Sequence, residues 1–137
     1  MKVFKFLTAW LFITFLLLFA VVITDVVYLL WQQEISSAPA MYPIKDMLLG
    51  ITSEGLRALL LCYLFPKING AQNSAFTAVK YGLAISGLIG SMWLIVGYGS
   101  FILKDPAKFV VYDGTILVLQ GILSGLALHA ACRKNYI

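Results

Sequence analysis

Two opposite charges stand close together in an otherwise apolar stretch of the sequence. Glu54 and Arg57 lie near the middle of the run that follows Pro43, and their i, i+3 spacing makes them neighbours on one helix face. A charge in hydrocarbon costs about 2.5–3.5 kcal/mol on insertion scales, so it usually faces a protein interior and has a partner. The pair could therefore bind a substrate, an ion or a proton, or it could neutralise itself and fix helix packing.

Three further polar residues within apolar runs could join this charged pair. Asp25 lies late in the first run, whereas Asp113 and Gln120 lie seven residues apart in the last run and so share one helix stripe. We expect Asp25, Asp46 and Asp113 to surround an outer vestibule, with Gln120 and the charged pair below it. The alternative for Asp46 and Asp113 is that each lies one turn inside a helix N-terminus, where the helix dipole favours an acid.

The sequence contains no familiar set of catalytic or metal-binding residues. Its two cysteines, Cys62 and Cys132, form no CxxC or CxxCH pair, and His129 has no second histidine with which to hold a haem. HExxH, P-loop and GxGxxG motifs are missing, as is a Ser–His–Asp order. We therefore expect no metal and no cofactor, and an enzyme is the least favoured class of function.

A separate group of residues, all of them small, recurs at four-residue spacing in the last two apolar runs. The group consists of Gly82, Ser86, Gly90, Gly121 and Gly125. Small residues at this spacing let helix backbones approach closely in lipid. We expect them to serve packing within a helix bundle, and homodimerisation through the same faces is the alternative.

The composition predicts apolar helices on which these residues would lie. Of the 137 residues, 61% are apolar and 12% are charged, whereas a soluble domain carries about 25% charged residues. A soluble chain this short could not bury so much apolar surface, so lipid is the expected solvent. Four stretches are long enough to cross a bilayer, at about 6–31, 44–65, 77–103 and 109–132. We predict one all-α domain over residues 1–137, a four-transmembrane-helix bundle whose short loops make sequential neighbours antiparallel.

The basic residues predict how this bundle lies in the membrane. With the N-terminus inside, the inner side carries Lys2, Lys5, Lys67, Lys80, Arg133 and Lys134, and the outer side carries Lys45, Lys104 and Lys108. The excess on the inner side predicts that both termini are cytoplasmic, in the cell (inner) membrane. Because the charges are scattered singly, they do not form a nucleic-acid-binding patch. The expected partners are the lipid bilayer and either a second copy or a partner membrane protein.

The layout of two helices resembles that of small uncharacterised four-helix membrane proteins that are common in bacterial genomes. The resemblance is carried by ITSEGLRALLLCYLFPKING and YDGTILVLQGILSGLALHAACRK, and it implies a fold and no chemistry. The chain differs from four-helix small multidrug transporters, whose first helix carries a membrane-embedded glutamate, because its own acid there is Asp25, near the outer edge.

Two hypotheses about function follow from these patterns. The first is a small transporter or a membrane-embedded ligand- or proton-binding protein that uses the polar stripes of helices 1, 2 and 4. The second is a structural or accessory membrane subunit, in which the Glu54–Arg57 pair and the small-residue faces serve packing or oligomerisation.

Overall fold

The computed structural model of the chain describes residues 2–28, 44–69, 74–100 and 105–137, and most of these residues are helical. The four helices are α1 (Lys2–Val27), α2 (Ile44–Asn69), α3 (Ala75–Ser100) and α4 (Pro106–Arg133), and these ranges contain no strand. The predicted all-helical class is confirmed for this part of the chain. The predicted helix ends at residues 31 and 103 lie outside the described residues.

Three of the helices are long and apolar enough to cross a membrane. They are Lys2–Val27, the first part of α3 at Ala75–Met92, and Pro106–Arg133. Over its described residues α2 is not among them, and it carries Glu54 and Arg57 within its length. The structure therefore supports a membrane protein with three candidate spans.

Helices α1 and α3 begin a few residues earlier than predicted, at Lys2 and Ala75, and the other two differences from the predicted helix ends lie at prolines. The predicted second helix ended before Pro66, but α2 continues through this proline to Asn69, although proline removes a backbone hydrogen bond and crowds the preceding turn. The predicted fourth helix began at residue 109, but α4 begins at Pro106, and the Asp105 carboxylate accepts from the Lys108 amide at 3.1 Å. At the first helical position the backbone N–H has no partner within the helix, so proline loses no hydrogen bond there. This Asp-Pro pair therefore starts a helix.

The helices pack to different extents in the described residues. α3 and α4 pack most closely, α1 packs against α4 and α2, and α2 meets α3 and α4 at few points. Contacts between α1 and α4 run in reverse order along the chain. The Lys5 ammonium lies 5.8 Å from the Tyr136 ring centroid, and the Tyr28 hydroxyl lies 3.2 Å from Thr115 Oγ1. These two helices are therefore antiparallel.

The apolar core lies toward the end of the bundle that contains the start of α1 and the end of α4. All four helices contribute to it, through Ala9, Ile13, Leu17, Ala58, Leu61, Cys62, Phe65, Ala78, Ala127 and Leu128. Many large apolar side chains, such as Phe15, Leu88 and Val118, are instead exposed on the outside. Soluble monomers rarely expose large apolar patches, so this outer surface is suited to contact with lipid.

Glycines bring the backbones of α3 and α4 into direct contact. A Cβ atom added at Gly82 would strike the Gly121 carbonyl oxygen, and it would lie 3.0 Å from the Gly125 nitrogen. A Cβ added at Gly125 would lie 2.5 Å from Val79 Cα and 2.6 Å from the Ala78 carbonyl oxygen. Because these neighbours are backbone atoms, a change of side-chain rotamer cannot relieve the clash. The close approach therefore requires glycine at these positions.

Alanine substitutions should separate the glycines that hold the α3–α4 contact from those that do not. Gly82→Ala and Gly125→Ala should each destabilise the protein by about 1–3 kcal/mol, the usual cost of overpacking. Gly90→Ala should cost less, because its Cβ would meet the Leu117 side chain, which can rotate. Gly87→Ala, whose Cβ would meet nothing within 4 Å, should be neutral or stabilising, because alanine favours helix by about 1 kcal/mol. Thermal unfolding in detergent measures this order, and equal melting temperatures across the series would contradict it.

Candidate functional site

Glu54, Arg57 and Gln120 contact one another in the middle of the bundle. Arg57 Nη1 donates to Glu54 Oε2 at 3.1 Å and also to Gln120 Oε1. Gln120 Nε2 in turn donates to Glu54 Oε1 at 3.0 Å. The three side chains thus close a ring of hydrogen bonds in which each residue contacts the other two.

Two backbone carbonyls connect this ring to the remaining helices. Gln120 Nε2 lies 3.1 Å from the Leu17 carbonyl oxygen of α1, and Arg57 Nη2 lies 3.4 Å from the Ser86 carbonyl oxygen of α3. All of these residues lie near the middle of their helices. The ring and its two carbonyls, which we call the central cluster, therefore join four helices at one level.

The central cluster is largely closed to its surroundings. The Arg57 side chain is 5% exposed and that of Glu54 18%, and Gln120 is 1% exposed. A buried charge is destabilising by several kcal/mol unless a partner and hydrogen bonds compensate for it. Here the Glu54 carboxylate neutralises the guanidinium, and Gln120 satisfies atoms on both charged groups. Arg57 therefore stays inside the bundle and does not extend toward a membrane surface.

The predicted vestibule acids of α1 and α4 have different surroundings. The Tyr112 hydroxyl donates to Asp25 Oδ1, and the Tyr112 ring meets the Tyr28 ring edge to face at 5.7 Å. Asp113 is 8% exposed, and its Oδ2 has no hydrogen-bond partner among the described residues. Because α4 begins at Pro106, Asp113 lies two turns inside the helix, so the prediction that it lies one turn inside is wrong. The helix dipole, which acts within the first turn, does not explain an acid at this depth.

Two residues of α2 that precede the charged pair do not share its surroundings. Glu54 and Arg57 turn toward the other helices, but Ser53 is exposed and Gly50 has open space beside it. The side chain of Asp46 lies outside the described residues. Among the side chains of α2 that the structure describes, only those of the charged pair belong to the central cluster.

Sequence reasoning missed the residues of α1 that complete the site. Trp10 Nε1 donates to the Gly55 carbonyl oxygen at 2.7 Å, which joins α1 to α2 beside Glu54. The Leu17 carbonyl is equally hidden from sequence reasoning, because a backbone acceptor can belong to any residue type. Trp10 carried one usable signal, since a buried indole N–H usually finds an acceptor.

The cluster has unused polar atoms, and two grooves lie elsewhere on the described residues. Arg57 Nε and Ser86 Oγ are buried and have no hydrogen-bond partner in the described part of the chain. One groove, of about 430 Å³, lies along α4 at Val111, Gly114 and Val118, and the other, of about 190 Å³, lies between α1 and α4. Neither of these two grooves is lined by Glu54, Arg57 or Gln120.

Removing one charge of the central cluster should leave the other charge stranded. Arg57→Leu and Glu54→Leu should each lower the free energy of unfolding by about 3–5 kcal/mol, as for other buried pairs. The double variant should recover most of this loss, because no unpaired charge remains. Chemical or thermal unfolding in detergent measures the effect, with Ser53→Leu as a control on the exposed side of the same helix. A double variant no more stable than either single variant would show that the two charges are not coupled.

Comparison of the chain with protein-family models, with curated proteins and with solved structures found no match. The family suggested by the layout of its helices is therefore not confirmed. Function must be inferred from the central cluster and its surroundings.

Proposed function

We propose that the chain is a four-helix integral membrane protein that acts as a structural or accessory subunit, with its central cluster fixing the helices at one level. The observation that carries this proposal is the position of Gln120. Both of its amide hydrogens and its carbonyl oxygen are used inside the protein, on Leu17, Glu54 and Arg57. A site built to bind a substrate needs polar atoms that are free to reach it, and this side chain is instead committed to three other helix positions.

We propose α2 as the fourth membrane span. It has 26 residues, which at 1.5 Å per residue is more than the length needed to cross a hydrocarbon core of about 30 Å. Its two central charges have partners in the cluster, and this reduces the free energy that opposes insertion. Packing beside α1, itself a candidate span, also supports this placement. With short connections, sequential helices would then be antiparallel.

We assign the basic end of the bundle to the cytoplasm. At this end, three ammonium groups lie over aromatic rings, in the pairs Lys5–Tyr136, Lys67–Tyr63 and Lys80–Phe76. The contact between the Phe65 and Tyr81 rings, with centroids 5.3 Å apart, joins the same ends of α2 and α3. Lysine enrichment is typical of cytoplasmic membrane edges, and aromatic rings are typical of both interfaces. Both termini are then cytoplasmic.

Single cysteines should test both the orientation and the crossing by α2. In a Cys62→Ala, Cys132→Ser background, an impermeant maleimide added to intact cells should label Ala107→Cys and leave Asn69→Cys unlabelled until the cells are opened. Ala107 lies at the outer end of α4, and Asn69 ends α2. Labelling of Asn69→Cys from outside would exclude α2 as a span that ends in the cytoplasm. Ala107→Cys that stays unlabelled from outside would reverse the orientation.

A second candidate function, proton or small-ligand binding within the membrane, is favoured by Asp113. This side chain is 8% exposed, and its Oδ2 is unpartnered among the described residues. A buried polar group without a partner costs about 1–3 kcal/mol, and ionisable groups inside membranes often mark ion or proton pathways. Arg57 Nε and Ser86 Oγ are unpartnered in the same described region. If the protein binds or transfers protons, Asp113 Oδ2, Arg57 Nε and Ser86 Oγ are the polar atoms along which they would move.

Proteoliposomes should separate the two candidate functions. For a structural subunit, an imposed pH gradient should decay as slowly with the parent protein as in empty liposomes. The Glu54→Leu, Arg57→Leu double variant should also restore growth as well as the parent does in cells whose growth depends on the gene. Asp113→Asn should then raise thermal stability, because it removes a buried acid that lacks a donor.

Rapid decay of the gradient with the parent protein would contradict the structural proposal. It would establish the second candidate if Asp113→Asn abolished the decay and Asp105→Asn did not. Asp105 is the matched control because it is an acid on the same chain segment, it caps α4 from outside the bundle interior, and asparagine is an equally good cap.

A further inference from the structure

The groove between α1 and α4 changes from apolar to basic along its length. It has a volume of about 190 Å³, and its walls include Ala9, Phe12, Ala127, Ala131, Lys134 and Tyr136. The alanines leave a shallow furrow in α4, whereas Lys134 and Tyr136 stand where the helix ends. The groove therefore pairs an apolar channel with a cationic mouth at the basic end of the bundle.

The residues that follow α4 build this mouth by a reversal of the backbone. Asn135 adopts a left-handed conformation with φ of 54°, which asparagine tolerates better than most residues. The turn lets the Tyr136 amide donate to the Ala131 carbonyl oxygen at 2.9 Å, so the Tyr136 ring folds back beside α1. There the Lys5 ammonium lies 5.8 Å from the centre of that ring. Lys5 and Lys134 are thereby held near the same opening.

No acidic residue of this part of the sequence offsets the positive charge at the mouth. The chain has no Asp or Glu before Asp25 or after Asp113, and Lys2 and Arg133 add further positive charge nearby. The nearest acid on α2 that the structure places, Glu54, is already paired with Arg57 in the central cluster. A ligand that carries an anionic group for Lys5 and Lys134 and an apolar segment for the furrow would suit this groove.

We propose that this groove is a binding site for an anionic phospholipid, whose phosphate lies between Lys5 and Lys134 and whose acyl chain lies along the alanines of α4. The site rests on the membrane insertion proposed above, because only a chain in the bilayer meets such lipids at this depth. Basic residues near a membrane surface each add about 1 kcal/mol of attraction to anionic lipid. Tyr136 lies at the headgroup level, where tyrosine is favoured.

Lipid binding to the purified full-length protein in detergent tests this site. Phosphatidylglycerol should raise the melting temperature and remain bound in native mass spectrometry, and phosphatidylcholine should do so much less. Lys5→Gln with Lys134→Gln should weaken phosphatidylglycerol binding about 30-fold, the product of about fivefold for each lysine. Lys5→Arg with Lys134→Arg should retain binding, because the charge is kept. Lys80→Gln, which removes a lysine at the same end but over Phe76, should bind like the parent.

Three results would each overturn the lipid site. The first is equal binding of the two lipids. The second is a loss of phosphatidylglycerol binding in Lys80→Gln as large as that in the double lysine variant. The third is a rise in melting temperature with inorganic phosphate that matches the rise with phosphatidylglycerol. Ala130→Phe, which fills the furrow, should lower lipid binding and leave the lysines in place, and unchanged binding in this variant would also contradict the proposal. Alkaline washing of membranes tests the membrane insertion separately from the lipid site. A chain that resists washing but fails these tests disproves the lipid site alone, whereas a chain released by alkali loses the proposed membrane insertion as well.

Discussion

The hydrogen bonds of Arg57 hold together the centre of this molecule. A guanidinium buried among apolar helices cannot be solvated by water, so its partners must come from the protein. Glu54 supplies the opposite charge from the same helix, Gln120 supplies an acceptor from α4, and Ser86 supplies a carbonyl from α3. Any change in the height or rotation of one helix would separate at least one of these atoms from the guanidinium. The remaining packing is therefore built around a fixed point, with an apolar core on one side of it.

The side of the central cluster that faces away from this core has a different character. There Tyr112 reaches Asp25, and Tyr28 reaches Thr115, so hydroxyl groups and carboxylates replace aliphatic contacts between α1 and α4. Asp113 lies on this side as well, without a partner among the described residues. The cluster thus separates an apolar half of the bundle from a half with more polar contacts. This division is why a structural role and a proton-handling role can both be formulated for one small protein.

The sequence predicts the parts of this arrangement that depend on spacing within one helix. Glu54 and Arg57 share a face because they are three residues apart, and Asp113 and Gln120 share one because they are seven apart. Which faces meet depends on contacts between distant residues, such as Glu54 with Gln120, 66 positions later, and no local pattern specifies them. The role of the Leu17 carbonyl cannot be predicted from the sequence for a further reason, because every residue has a backbone carbonyl. The helix ends near Pro66 and Pro106 were misjudged because proline was taken to end a helix. At the first helical position proline has no intrahelical amide bond to lose, and α2 continues past Pro66 despite the bond that it loses there.

The unequal packing of the helices has a consequence for how the molecule would come apart. α3 and α4 are in backbone contact through their glycines, whereas α2 meets these two helices at few points and depends on α1 and the cluster. Proteins open in cooperative units whose free energies differ widely within one fold. The amide hydrogens of α2 should therefore exchange with solvent deuterium sooner than those of the α3–α4 hairpin. The hairpin is the durable unit of the fold, and α2 is the helix whose attachment depends most on a single set of polar contacts.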